Sequence, residues 1–347
     1  MNQLSTNEKA GQALRYDNLD GLRSYAAIGI VVMHVLDNGA YGLGGFVFSR
    51  FIPSLADLVF LFMVISGFSM CCGYYEKVIG GKLDLGKFYV KRFAKVWPFF
   101  ALMCLADFIM SPGLDTLYQL LADLTLCFGL IPNAGISVIG VGWFLGLVFV
   151  FYFLFPFICS LLSDKRRAWL SFGVAVLLSS LCVLYFDAGR TSFAYSGVFF
   201  LAGGMLYIYR EPLRGFADRF GWIVALLAVG ALVLYYLVGS VMPTQLLVAV
   251  LLTLLAMGRK NVILSNPVTK KLSAISMEIY LCHMMVYRVL EKLKLHHIFG
   301  ANLLSYAVTA LLTLALSALL AVAVNKALSA LSGIYQKRKT GGKTYVR

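Results

Sequence analysis

Apolar residues run along this chain in long blocks separated by short polar segments. A helix needs about 20 mostly apolar residues to cross a bilayer, and ten blocks approach or reach that length. The pattern therefore predicts an all-α membrane protein, a polytopic bundle of about ten transmembrane helices. The ten blocks are residues 22–36, 55–75, 94–110, 139–162, 168–186, 192–209, 220–238, 243–257, 273–289 and 301–324.

One further apolar block, residues 117–131, carries a polar stripe. Asp115, Gln119 and Asp123 recur every four residues, and residues four apart share one face of a helix. We expect an interfacial or partly buried helix here rather than another span.

Composition supports the membrane assignment. Apolar residues make up 60% of the chain and charged residues only 13%, and the mean hydropathy is +0.83, which is outside the range of an ordinary soluble domain. None of the polar connections is long enough to form a domain with its own core. Any active site is therefore expected within the helix bundle.

Basic residues set the expected orientation, because Lys and Arg concentrate in short cytoplasmic loops. With the N-terminus inside, six segments predicted to be cytoplasmic hold 25 of the 30 basic residues. Both termini are therefore expected in the cytoplasm. The net charge of +14 is explained by anchoring to anionic lipid and does not imply nucleic-acid binding. The six segments are residues 9–23, 77–95, 165–167, 210–219, 259–271 and 326–347.

The same pattern divides the chain into a polar cytoplasmic tail (1–17), a transmembrane domain (18–330) and a basic cytoplasmic tail (331–347). The start of the chain has no cleavable signal, so we expect the first helix to act as the anchor. Seven cysteines form no CxxC pair and are interpreted as small core residues. No set of His, Cys or carboxylate residues has the spacing of a metal site.

The candidate chemistry begins with His34, which lies in an apolar block eleven residues after Arg23. Eleven steps of about 100° bring both side chains to one helix face, about 16 Å apart. An ionisable group at bilayer depth is a candidate functional site, although a histidine bonded to a neighbouring helix would look the same. With Asp17 or Asn18 as the N-cap, Asp20 and Arg23 lie three residues apart in the first turns and are placed to pair. Taken by itself, Arg23 would be interpreted as an anchor at the membrane interface.

Five short sequence blocks occur in a fixed order over residues 17 to about 290. They are Leu19-Asp20-Gly21-Leu22-Arg23 followed by His34, Ile65-Ser66-Gly67-Phe68, Arg92-Phe93-Ala94-Lys95-Val96-Trp97-Pro98, Trp143-Phe144-Leu145 followed by Tyr152 and Pro156, and Ile275-Ser276 followed by Ile279-Tyr280-Leu281 and His283. Together they resemble the motifs of the membrane acyltransferase-3 family, whose members O-acylate cell-envelope sugars with cytoplasmic acyl-CoA. The ten-helix architecture of that family agrees with the count reached from hydropathy and charge.

The resemblance has two departures. Val148 stands where many members carry a glutamate, so no role for that acid transfers to this chain. Lys95 replaces the second arginine of the Arg-x-x-Arg motif, which keeps the charge but loses the planar fork suited to phosphate.

The resemblance implies roles for residues at both ends of the first helix. His34 is expected to act as general base, with Arg23 organising the pocket, either by contact with coenzyme A or through Asp20. Ser66 and Gly67, in the middle of the second block, are expected to let two helix backbones approach, with the hydroxyl available for orienting the donor; a simple packing contact would explain them equally well.

The donor site is expected to contain cations that bind the phosphates of coenzyme A. Arg92, Lys95 and Lys91 lie in the most basic segment, although positive-inside anchoring would also explain them. The resemblance adds Trp143 and Tyr152 to this donor site.

Polar residues of the ninth block are candidates for lining a cavity. Glu278, Tyr280 and His283 fall within this block, and five residues at about 100° place Glu278 and His283 about 140° apart. One is therefore expected to face the cavity while the other bonds a neighbouring helix. His296 and His297 are expected to lie solvated in an outer loop.

The resemblance thus implies a multi-pass O-acyltransferase of the bacterial plasma membrane. Its donor would be acetyl-CoA or another acyl-CoA, with no metal, and its acceptor a hydroxyl of an envelope polysaccharide or glycolipid. Direct transfer and an acyl-enzyme intermediate both remain open. A transporter or flippase of a small or lipid-linked solute is the alternative from another class, and a structural or sensory domain is a third.

Overall fold

A computed structural model describes residues 16–130 and 140–341, and every regular element within these ranges is helical. The predicted tail 1–17 therefore falls almost wholly outside the described residues, as does the end of the tail 331–347. The α-helices are α1 Asp17–Gly39, α2 Ile52–Ser54, α3 Leu58–Ile79, α4 Leu85–Met110, α5 Leu114–Thr125, α6 Trp143–Leu162, α7 Lys165–Tyr185, α8 Phe193–Ile208, α9 Arg210–Val238, α10 Met242–Met257, α11 Pro267–Ala274, α12 Ser276–Lys292 and α13 Leu303–Gly341.

Each of the ten apolar blocks coincides with one of these helices, so the all-α, multi-pass character is confirmed. Seven helical segments in the described part of the chain are long and apolar enough to cross a membrane. Phe193–Ile208 and Met242–Met257 are apolar but shorter. The count of ten spans and the cytoplasmic position of both termini stay predictions.

The polar-striped block 117–131 forms a short helix and a turn. The helix is α5, and a 3₁₀ turn follows at Cys127–Leu130, while residue 131 lies outside the described residues. Asp123 is buried, and the Trp97 indole of α4 donates to the Leu124 carbonyl oxygen at 2.9 Å. The stripe is thus buried only toward its Asp123 end, which fits a partly buried helix.

The start of α1 differs from the predicted capping. Tyr16, without a side-chain capping bond, precedes the helix. The Asn18 amide instead donates to the carbonyl oxygens of Gly258 and Arg259 and accepts from the Asn261 backbone N–H at 2.9 Å. The prediction of Asp17 or Asn18 as N-cap is wrong, because the amide satisfies backbone groups of the loop that follows α10.

Close contact between α3 and α8 depends on two glycines. A Cβ on Gly67 would lie 2.1 Å from the Phe200 carbonyl oxygen, and one on Gly203 would lie 2.1 Å from the Val64 carbonyl oxygen. Small residues let helix backbones approach in this way. The backbone approach expected at Gly67 therefore occurs, and it fixes α3 beside α8 in the core.

Polar contacts gather at both ends of the bundle. At the end where α1 begins, Asp17 pairs with Lys260 and Lys270, and Arg210 of α9 pairs with Glu76 of α3. We call this the Asp17 end. At the opposite end, the Gly39 end, α1 finishes and His34 lies one to two turns from it. Two of the basic segments predicted to be cytoplasmic, 210–219 and 259–271, contribute residues to these pairs.

Candidate active site

His34 borders two cavities near the Gly39 end. The larger has a volume of about 450 Å³ and is lined by the chain around the end of α1, including Asp37, and by Arg190. The smaller, of about 330 Å³, adds Trp143 and Tyr280 to the same histidine and arginine. His34 is half-buried and lines both spaces. We call them the His34 cavities.

Charged and aromatic side chains surround the His34 cavities. Arg190 and Asp37 line both of them. The guanidinium carbon of Arg190 lies 5.6 Å from the centre of the Trp143 ring, a cation–π contact. Arg288 lines the smaller cavity and is paired with the buried Asp107. The walls therefore offer hydrogen-bonding and aromatic groups to a polar ligand.

His283 of α12 packs its ring against His34. The ring centroids are 5.2 Å apart and the ring planes are inclined by 39°. His283 is fully buried, and its Nδ1 lies 2.7 Å from the Tyr280 carbonyl oxygen. Glu278 points elsewhere and accepts a hydrogen bond from Asn325 Nδ2 at 3.2 Å. The two side chains diverge as their helical spacing requires.

Tyr280 fixes one wall of the smaller cavity. Its hydroxyl donates to the Val141 carbonyl oxygen at 2.8 Å, and its ring centre lies 5.4 Å from that of Phe144. These contacts join α12 to the start of α6. They also hold Trp143, the first residue of α6, beside His34.

A second polar group lies near the Asp17 end. Arg23 places Nη1 3.4 Å from Asp20 Oδ1, the pairing expected from their spacing, and donates from Nη2 to Ser69 Oγ at 2.5 Å. The Ser273 hydroxyl donates to the same Asp20 oxygen at 3.1 Å. Arg23 is thus bonded to α3 and, through Asp20, to α11. It is part of the bundle wall and more than an interfacial anchor.

Arg92 of α4 lies among aromatic rings close to this group. Its guanidinium carbon is 4.6 Å from the Tyr74 ring centre and 5.5 Å from that of Tyr152. Its Nε is buried and has no hydrogen-bond partner among the described residues. An unpartnered buried donor costs about 1–3 kcal/mol, and an acceptor atom of a ligand would remove that penalty.

Two further cations extend this group toward solvent. Lys95 is exposed and lies within electrostatic range of Arg92, Arg23 and Glu278. Lys91 is also exposed. Tyr152 interacts with both Arg92 and Arg23. Arg23, Arg92 and Lys95 are called the cation cluster below.

The structure divides the predicted donor-site residues between the two ends. Trp143 borders the smaller His34 cavity and not the cation cluster. Ser66 and Ser69 both lie on α3, and it is the Ser69 hydroxyl oxygen that accepts the hydrogen bond from Arg23. Along α1, Arg23 and His34 are separated by about 16 Å. The cation cluster and the His34 cavities therefore lie near opposite ends of α1 and do not form one compact pocket.

A family model described as an acyltransferase domain matches residues 16–322. The chain belongs to the acyltransferase-3 family. The match covers both the cation cluster and the His34 cavities, and it makes this protein an acyltransferase with several membrane-spanning helices. No curated protein and no solved structure shows significant similarity to the chain.

Sequence reasoning missed three residues of this candidate site. Ser69 lies three residues after the motif serine, outside the recognised block. Tyr74 lies between motifs and is placed over Arg92 only by packing. Arg190 carried a signal, because it is one of five basic residues outside the predicted cytoplasmic segments.

The outer-loop histidines differ from expectation. His297 Nε2 lies 2.5 Å from the Gly39 carbonyl oxygen, and its ring packs 5.2 Å from that of Tyr41. His296 is half-buried. The prediction that both are solvated is wrong, because the turn containing them closes over the end of α1.

Proposed function

We propose that this protein transfers an acyl group, most simply acetyl, from acyl-CoA to a hydroxyl of an envelope polysaccharide or glycolipid at the bacterial plasma membrane. The observation that carries the proposal is the position of His34 in polar cavities at one end of α1, with the cation cluster at the other end. An extended thioester donor requires a phosphate-binding group and, well separated from it, a base. Arg23 and His34 have this arrangement on one face of α1.

The proton transfer assigned to His34 follows from its chemistry. A neutral imidazole nitrogen takes the proton of the acceptor hydroxyl as its oxygen attacks the thioester carbonyl carbon. The carbon–oxygen bond forms, the carbon–sulfur bond breaks, and coenzyme A leaves as the thiol after it receives the proton from the imidazolium. The products are the O-acyl ester and free coenzyme A.

The cation cluster is the proposed site for the phosphates of coenzyme A. Arg92 has an unpartnered donor, Nε, in a wall of aromatic rings, and Arg23 is held by Ser69. Charge-assisted bonds from guanidinium to phosphate are stronger than neutral ones. The pantetheine arm would then extend from this cluster toward His34.

The His34 cavities are the proposed site for the acceptor. Trp143 offers an indole face, while Arg190 and Asp37 offer a donor group and an acceptor group for hydroxyls. Sugar rings present an apolar face and a rim of hydroxyls, which suits such a lining. This region would therefore orient one hydroxyl toward the His34 ring.

Mass spectrometry of envelope glycans from cells with and without the gene tests this proposal. We expect one glycan or glycolipid to differ by the mass of one acyl unit. A complete absence of acylation differences would contradict it.

Ligand-induced stabilisation separates the enzyme from a transporter. Binding to the native state raises the melting temperature by mass action, so coenzyme A and acetyl-CoA should stabilise the purified protein in detergent. No shift with either compound, together with solute uptake into vesicles, would favour transport.

A further inference from the structure

His283 carries a buried nitrogen that the proposed reaction leaves without a role. The side chain is fully buried, and Nε2 has no hydrogen-bond partner among the described residues. Its ring centroid lies 5.2 Å from that of His34. Leaving such an atom unsatisfied costs about 1–3 kcal/mol, so a partner is expected nearby.

The other nitrogen of His283 determines what kind of partner this is. Nδ1 lies 2.7 Å from the Tyr280 carbonyl oxygen and 3.3 Å from that of Ile279. A carbonyl oxygen only accepts, so Nδ1 carries the hydrogen and donates. In the neutral ring Nε2 is then a lone-pair acceptor, and it requires an N–H or O–H donor.

Resting on the proposed function, we infer that His283 is a positioning residue for His34. The Nε2 lone pair accepts the N–H of the His34 ring, and a rotation of the half-buried His34 side chain makes that bond from the observed ring contact. With ring centroids 5.2 Å apart, two imidazole edges come within hydrogen-bond reach once they point at each other.

The inferred bond fixes the tautomer that catalysis needs. A histidine base must have one unprotonated nitrogen toward the acceptor hydroxyl, and the other nitrogen must keep its hydrogen. With that hydrogen donated to His283, the free nitrogen of His34 faces the cavities. His283 exchanges no proton with the substrate, and the Tyr280 carbonyl oxygen keeps its ring from turning.

Charged groups around the pair do not supply this bond. Asp37 and Arg190 line both His34 cavities, and Arg288 lines the smaller one but is paired with Asp107. None of them forms a hydrogen bond to either imidazole ring in the described structure. His283 is the group whose nitrogen is both buried and unpartnered beside His34.

Two substitutions of His283 distinguish the role of Nε2 from the role of Nδ1. Gln places an oxygen near the position of Nε2, whereas Asn places a polar group near Nδ1 and leaves no acceptor toward His34. With acetyl-CoA as donor and the envelope glycan fraction from cells lacking the gene as acceptor, His283→Asn should lower kcat about 10²-fold. His283→Gln should recover most of that loss, and the KM for acetyl-CoA should change little in both variants.

The reverse ranking would overturn the inference. Equal activity of His283→Asn and His283→Gln would also overturn it, because an acceptor near the position of Nε2 would then restore nothing. His283→Leu, which lacks both nitrogens at similar volume, replaces the Asn variant if that variant fails to fold. It should then show the same loss of kcat.

Tyr287→Phe is the matched control. Tyr287 lies one turn further along α12, is also buried and has an unpartnered hydroxyl. Its substitution should leave kcat unchanged. If transfer requires His34 but every His283 variant keeps wild-type activity, only this inference is rejected. If transfer does not require His34, the base assigned in the proposed function is rejected.

Discussion

The cation cluster and the His34 cavities lie near opposite ends of α1 but are built differently. Arg23 and Arg92 are held by hydroxyls and aromatic rings of α3, α4 and α6, and the lysine beside them is exposed. At His34, by contrast, cavities of about 450 and 330 Å³ are bordered by neutral rings and by charges of both signs. One end suits phosphates, and the other suits a polar uncharged group.

This difference bears on the shape of the donor. About 16 Å of helix separates Arg23 from His34, so no small acyl donor contacts both ends at once. A thioester at the end of an extended arm would be long enough to do so. The comparison therefore predicts that substitutions at the two ends affect different kinetic parameters.

His34→Ala should have the largest effect. Loss of a general base lowers the rate about 10² to 10⁴-fold, and the KM for acetyl-CoA should remain near the wild-type value because the cation cluster is intact. Turnover of the glycan fraction under saturating acetyl-CoA measures this. His296→Gln, a change to a histidine outside the His34 cavities, is the control, and wild-type activity of His34→Ala would remove the assignment.

Arg92→Ala should have the next largest effect, on the KM and not on kcat. Hydrogen bonds to charged groups contribute about 1.5–3 kcal/mol, which corresponds to a rise in KM for acetyl-CoA of roughly 10- to 100-fold. Lys87→Ala is the matched control, because Lys87 lies on the same helix but is exposed and paired with Asp84 at 3.1 Å. Equal effects of the two substitutions would mean that general positive charge, and not this site, attracts the donor.

Ser69→Ala should have the smallest effect. The hydroxyl accepts from Arg23 at 2.5 Å, and losing one such bond costs about 1 kcal/mol, or about fivefold in the KM for acetyl-CoA. Ser66→Ala should change the KM less, because the bond to Arg23 does not come from Ser66. The opposite ranking in donor titrations would show that the motif serine contacts the donor directly.

Much of the local structure was predictable from sequence. Long apolar blocks gave the helices because hydropathy and length are local properties, and the eleven-residue spacing placed Arg23 and His34 on one face. The pairing of Asp20 with Arg23 also follows from spacing alone. The N-cap of α1 was not predictable, because Asn18 bonds a loop more than two hundred residues away in the chain.

The donor-site prediction shows the same limit. Arg92 and Tyr152 lie together as the motifs implied, but Trp143 lies beside His34. The order of the motifs along the chain does not say at which end of the bundle each motif residue lies. Trp143 is at the start of α6, and Tyr152 is more than two turns further along the same helix. Which end meets which neighbour depends on the direction in which α6 packs.

By itself, the sequence determined that this is a helical membrane protein of the acyltransferase-3 type. It also determined that Arg23 and His34 lie on one face of the first helix. Only the tertiary structure decided that His34 meets His283, that Arg23 meets Ser69 and that Arg190 enters the His34 cavities. The physical reason is that helical periodicity specifies the face of a residue, whereas the partner of that face is set by long-range packing. The close approach of α3 and α8 at Gly67 and Gly203 is one such contact.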